Sequence, residues 1–132
     1  MIAFVDTSAL FALLARDDAM HDRASAIFGR LAGEGARLVT SSFVLAEIAA
    51  LLDRRIGPQA VHDFHSRLMP LLDVVWVDEA WYARGVHRFS ARGASRPSLV
   101  DCLSFEIMEG TEIRDAFAFD RHFEEGGFRV LA

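Results

Sequence analysis

Four carboxylates in this chain stand where acids are costly. Asp6 ends the apolar run "IAFV" that starts at Ile2, and Asp120 directly follows "AFAF". Glu47 is surrounded by Val44, Leu45, Ile48, Ala49 and Leu51, while Asp101 lies among Leu99, Val100, Cys102 and Leu103. A carboxylate in such company is expensive to bury without a partner, and neither helical segment carries a suitable basic neighbour. If the four converge, their mutual repulsion raises some of their pKa values unless a cation lies between them. A hard divalent ion, Mg2+ or Mn2+, meets that need. Such ions prefer oxygen ligands, keep several waters, and orient and deprotonate water for in-line attack on a phosphodiester. Asp6, Glu47, Asp101 and Asp120 are therefore the candidate catalytic residues and metal ligands. Thr7 or Ser8 is expected to cap the following helix and to hold a metal-bound water. Ser104, three residues after Asp101 on the same helical face, reads either as a further crevice residue or as a polar spot beside the core.

Convergence requires a scaffold, and the pattern of strands and helices supplies one. Residues 2–5 are continuously apolar, as befits a fully buried strand. Helical patterns follow over 9–14 and 22–31, then the turn "AGEG" and a strand "RLVTS" from Arg37. Ser41 or Ser42 caps the helix "FVLAEIAALLDRR", which Gly57 and Pro58 stop. A helix is predicted over 58–71, a strand "VVWV" from Val74, and a helix from Asp78 and Glu79 to about Arg92. After the loop "GASRP", Ser98 caps "LVDCLSFEIMEG"; the strand "AFAF" leads to Asp120, a short turn and a last strand "FRVL". Strands separated by helices predict an α/β fold with a parallel sheet covered on both faces. In such a sheet the strand ends and helix starts collect along one edge, where ligands bind. Asp6 and Asp120 lie at strand ends, and Glu47 and Asp101 in the first turns of helices, so all four face one crevice. Asp115 begins the strand that leads to Asp120, roughly 17 Å away, and is excluded from the site.

The composition narrows the remaining choices. The 132 residues fit a single domain, 1–132, and 52 % hydrophobic content suffices for a core. With one cysteine, Cys102, there is no internal disulfide or cysteine zinc cage, and the expected compartment is a reducing cytoplasm. No apolar run nears the roughly 20 residues that span a bilayer, and no secretory signal is evident, so no membrane role is expected. A net charge of −5 argues against nucleic-acid binding through overall positive charge alone, though not against a local basic groove. All 14 basic residues are arginine, so lysine chemistry is absent, as are GxxxxGK[ST] and GxGxxG. Arg84, Arg88 and Arg92 repeat at every fourth position, Arg96 follows in the adjoining loop, and the stripe reads as a solvated helix face or as contacts to an RNA backbone. Of the five histidines only His122 lies close to the proposed site, and it reads as a solvated turn residue in preference to a site residue; Asp73 reads as a turn acid and Cys102 as core.

The segments "VDTSALFALL", "SSFVLAEIAALL", "SLVDCLSFEIM" and "AFDRHF" resemble, in order, the four acidic motifs of PIN-domain ribonucleases, most closely VapC-like toxins of bacterial toxin–antitoxin pairs. The resemblance spans nearly the whole chain. It implies a three-layer α/β/α fold with a five-stranded parallel sheet, RNA cleavage dependent on Mg2+ or Mn2+, a homodimer, and inhibition by a small VapB-like antitoxin that inserts a segment into the crevice. Asp6, Glu47, Asp101 and Asp120 match the family's quartet, and Ser8 its small hydroxyl residue. Ala118 departs from the pattern, which often has Thr or Ser two residues before the last acid, so no hydroxyl at 118 supports Asp120. Two other readings compete: a PIN-like binding module without catalysis, and an aspartyl-phosphate phosphotransfer domain. The absence of lysine and the serine at position 8 count against the second.

Overall fold

The first strand takes the centre of the sheet because it has no polar side to show to water. In the computed structural model, which describes residues 1–132, β1 (Ile2–Val5) is flanked by β2 (Arg37–Ser41) and β4 (Asp115–Phe117), with β3 (Asp73–Val75) and β5 (Arg129–Val130) at the edges. Ala3, Phe4 and Val5 are buried to within 1 %. The strand order is β3-β2-β1-β4-β5, and every pairing is parallel. The chain steps outward from β1 to β3, then crosses back to β4 on the other side of β1. The direction of travel reverses between β1 and β4, which opens a crevice beyond their carboxyl ends.

Seven α-helices complete the three layers: α1 (Thr7–Leu14), α2 (His21–Gly33), α3 (Ser42–Arg55), α4 (Pro58–Asp63), α5 (Glu79–Ser90), α6 (Leu99–Gly110) and α7 (Arg121–Glu125). Right-handed crossovers put α1 to α4 on one face and α5 to α7 on the other. The helix contacts follow that division: α1 packs on α2 and α3, α3 on α4, α5 on α6, and α6 on α7. This is the α/β/α sandwich with a five-stranded parallel sheet that the resemblance implied.

Several boundaries differ from expectation, mostly for one reason. At the carboxyl edge, side-chain hydroxyls take backbone N–H groups that would otherwise extend the strands. Ser42 Oγ accepts from Val77 N, and β3 stops at Val75; Ser8 Oγ accepts from Phe119 N, and β4 stops at Phe117. The last strand is likewise only Arg129–Val130. Asp6, and not Thr7 or Ser8, caps α1, its carboxylate accepting from Ser8 N. The helix predicted over 58–71 changes pitch twice, becoming a π-helix at Phe64–Leu68 and a 3-10 turn at Met69–Leu71. Pro70 has no N–H to continue an α-helix, and the changed pitch places Phe64 and Leu68 in the core. Asp73 is the first residue of β3, paired with Arg37 in an exposed ion pair.

The arginine stripe on α5 is spent on packing. Arg84 and Arg88 pair with Glu106 of α6, Arg88 also with Glu109. Arg84 lies over Trp81, and Arg92 lies 3.6 Å from the Phe89 ring centroid and donates to the Pro97 carbonyl. These helices approach closely because Gly85 faces Leu103: a Cβ at Gly85 would lie 3.0 Å from Leu103 Cδ1 and 3.3 Å from its Cα. Gly85→Val is therefore expected to destabilise the protein by about 1–3 kcal/mol through overpacking. Gly29→Ala, in α2 with open space before it, should stabilise by about 0.5–1 kcal/mol. Urea unfolding of the two variants checks both signs, and a neutral Gly85→Val would refute the tight contact.

Candidate active site

Three of the four acids are held by helix N-termini. Asp6 follows β1 directly and caps α1, with Oδ2 accepting from Ser8 N (3.1 Å) and Ser8 Oγ (2.6 Å). The same hydroxyl accepts from Phe119 N (2.9 Å), so one serine ties the first acid to the loop that carries the last. Asp6 N donates to Phe117 O across the β1/β4 boundary. Asp101 forms a reciprocal capping box with Ser98: its Oδ2 accepts from Ser98 N at 3.0 Å, and Ser98 Oγ accepts from Asp101 N at 3.1 Å. Asp120 caps α7 by accepting from His122 N at 2.9 Å. Glu47 is no cap. It reaches in from α3 and accepts from Thr7 Oγ1.

All four acids line one crevice of about 600 Å3, together with Thr7, Ser8, Ser98, Arg54, Arg96 and His122. Asp6 is 3 % exposed and Asp101 7 %, while Glu47 and Asp120 are half-buried. No arginine neutralises them: Arg54 and Arg96 stand exposed at the rim, and the only ion-pair partner of the quartet is His122. Burial, then the charges of Asp101 and Glu47, push the Asp6 carboxyl up to about 7, against the bonds from Ser8. Burial likewise raises Glu47, with Asp101 and Asp120 adding to the rise, and raises Asp101, with Asp120 adding and Ser98 opposing. These are carboxylates held together in want of positive charge. The donor set, oxygen-rich with hydroxyls beside it, fits a hard divalent cation.

Two expectations are corrected here. Ser104 does not reach the crevice; its hydroxyl is fully buried and donates to the Val100 carbonyl within α6. His122 is no solvated turn residue. Its side chain is 21 % exposed, Nε2 lies 2.8 Å from the Ser95 carbonyl, and Nδ1 lies 2.9 Å from Asp120 Oδ1 and 3.4 Å from Asp101 Oδ2. Burial pulls its pKa down, but the Ser95 carbonyl and the carboxylates of Asp120, Asp101 and Glu125 outweigh that and raise it. The available signal was its place two residues after a cap, where its own N–H closes the turn on Asp120. Arg54 is a crevice residue that the sequence reading did not single out, and Arg96, read only with the arginine stripe, lies at the crevice and not with the stripe's ion pairs. Asp115 lies at the opposite edge of the sheet, bonded through both oxygens to Arg129 in a wider cleft of about 810 Å3.

In an open parallel sheet the crevice at the switch point is where ligands bind, and here that crevice gathers acidic groups that could hold a metal ion. The PIN domain model matches residues 3–128. VapC20 of Mycobacterium tuberculosis (strain H37Rv), a 23S rRNA-specific endonuclease, is 35 % identical over 95 % of this chain and 94 % of its own. The crystal structure of VapC20, described as a toxin that cleaves the sarcin-ricin loop, has a TM-score of 0.82 at 34 % identity, covering 97 % of this chain and 96 % of that one. FitAcB from Neisseria gonorrhoeae, at 18 % identity and TM-score 0.71 over 100 % of this chain and 97 % of that one, shares the fold. The chain belongs to the PIN-domain family, and within it to the VapC-like members.

The raised Asp6 pKa has a signed consequence for stability. Because the folded value, about 7, lies above the ordinary 3.8, ionisation of Asp6 opposes folding; its contribution is intact below 3.8 and is lost as pH rises through about 7. Asp6→Asn keeps a good cap and removes the charge. With chelator present, the variant is expected to exceed the wild type in stability at pH 8 by on the order of 1–3 kcal/mol, and to match it near pH 4. Urea titrations at the two pH values measure this; a variant no more stable at pH 8 would contradict the proposed repulsion.

Proposed function

We propose that this chain is an endoribonuclease acting as the toxin of a toxin–antitoxin pair, with Mg2+ or Mn2+ held by Asp6, Glu47, Asp101 and Asp120. The observation that carries the reading is the quartet itself, four converging carboxylates without an arginine partner at the β1/β4 switch point, in a chain of VapC-like sequence. When bound, the cation supplies Lewis acidity and lowers the pKa of water so that it attacks phosphorus near neutral pH. The chain's own residues do the positioning. Ser8 fixes the Asp6 carboxylate through Oδ2, and Thr7 fixes Glu47 through Oε1. Arg54 and Arg96 flank the crevice where the phosphates on either side of the scissile bond pass, and guanidinium suits those contacts. The net charge of −5 does not oppose this, since the contacts are local.

The substrate to test first is 23S rRNA, the substrate named for VapC20. A VapB-like antitoxin and a homodimer belong to the same proposal. Trp76, Tyr82 and Val86 supply exposed apolar surface for a protein partner, with Trp76 66 % exposed. A cytoplasmic setting also belongs to it, and no helix is long and apolar enough to cross a membrane.

Incubation of the purified protein with ribosomes and with extracted 23S rRNA, in Mg2+, in Mn2+ and in chelator, tests the reading. Cleavage is expected only with metal, and Asp6→Asn is expected to lose at least about a hundredfold in rate. Ser8→Ala, which leaves Phe119 N without its acceptor, is expected to lose activity and about 1–3 kcal/mol of stability. Metal binding without cleavage of any RNA would return the chain to the class of binding modules; equal activity in wild type and Asp6→Asn would overturn the assignment of the site.

A further inference from the structure

We propose that His122 is a nitrogen ligand of the cation site, so that the centre binds Mn2+ in preference to Mg2+. The proposal rests on the metal-dependent reading above and specifies its donor set.

The ring is oriented for this role by its far nitrogen. A carbonyl oxygen can only accept, so the 2.8 Å contact of Nε2 with Ser95 O places the ring proton on Nε2. Metal-binding histidines are oriented in just this manner, by donating the other ring N–H to a carbonyl or carboxylate. Nδ1 is then the ring's lone-pair position, and it is fully buried without a hydrogen-bond partner. Its 2.9 Å approach to Asp120 Oδ1 counts as an ion-pair distance but not as a hydrogen bond, because the oxygen lies too far off the Nδ1 axis. The carboxylates of Asp120 and Asp101 stand beside that axis, close enough to Nδ1 to share a cation with it.

The spacing agrees. Nδ1 and one oxygen from each of Asp101 and Asp120 lie within 4.8 Å of one another. The separations of Nδ1 from Asp120 Oδ1 and Asp101 Oδ2 are 2.9 and 3.4 Å. Adjacent ligands around an octahedral ion with bonds of about 2.1 Å stand about 3.0 Å apart. Two further contacts hold the residue in place: His122 N is bonded to Asp120 Oδ1, and Phe123, the next residue, stacks on Phe4 and meets Phe105 edge-on. Imidazole suits transition ions better than magnesium, which prefers an all-oxygen shell, so a nitrogen in the set shifts preference toward Mn2+. The ring ligates as neutral imidazole with its proton kept on Nε2, and any proton on Nδ1 leaves to solvent.

The test is spectroscopic and needs no RNA. Wild-type protein loaded with Mn2+ is expected to show nitrogen modulation from a directly bound imidazole in pulsed electron paramagnetic resonance. His122→Asn is expected to lose that modulation, to bind Mn2+ at least about tenfold more weakly, and to bind Mg2+ within about threefold of wild type by calorimetry. Circular dichroism of the variant reports its fold, while the wild-type spectrum decides the matter without any variant. Mn2+ bound without nitrogen modulation, or modulation that survives in His122→Asn, overturns the assignment of His122 and leaves the carboxylate site standing. Failure of the wild type to bind Mn2+ while it binds Mg2+ overturns this inference alone, and failure to bind either ion overturns it and the metal-dependent reading together.

Discussion

The structure depends on backbone N–H groups at helix starts being donated to carboxylates. Asp6 and Asp120 each accept from the first turn of a helix, and Asp101 from the N–H of the cap residue Ser98, so the bonds that begin α1, α6 and α7 also fix three acids in space. Each helix start carries partial positive charge, which offsets part of the repulsion among acids gathered in one crevice. The offset is incomplete, as the raised pKa values of Asp6, Glu47 and Asp101 show. Local structure and site chemistry therefore use the same groups. A cap lost at any of the three would loosen a helix and misplace a donor together.

The hydrophobic core sets how accurately those helix starts meet. Phe123, fully buried in the five-residue α7, stacks on Phe4 of the central strand at a centroid distance of 6.5 Å and meets Phe105 of α6 edge-on at 5.0 Å. A helix so short has little stability of its own, and these aromatic contacts hold it against the sheet. They carry Asp120 and His122 with it. On the other face Val44, Leu45 and Ile48 bury α3 and leave Glu47 to reach the crevice. Burial on both sides of Glu47 is thus what gives the sequence its oddly placed acid.

Much of this was legible in the sequence because it follows from local rules. An unbroken apolar run gives a central strand, and acids that end such runs or interrupt apolar helices mark the crevice edge. Rules of that kind located Asp6, Glu47, Asp101 and Asp120 and the α/β layering. What escaped depends on contacts distant in sequence. The hydroxyls of Ser8 and Ser42 shorten β4 and β3 from across the sheet edge, and no local pattern announces a bond between residues 8 and 119. His122 looked solvated because its acceptor, Ser95, belongs to another loop. Ser104 had the right helical spacing, but its hydroxyl turned inward to Val100. The arginine stripe had its periodicity read correctly, while its partners Glu106 and Glu109 lay on a helix the sequence could not place beside it.

The strand order has a consequence in time. β4 pairs with β1 across a long stretch of sequence, and Asp6 N bonds to Phe117 O only when that pairing forms. The crevice is therefore completed late in folding, because its walls come from segments distant in the chain. Ser8 and Phe119, 111 residues apart, meet only at that step, so Asp6 and Asp120 are brought together by some of the last contacts to form.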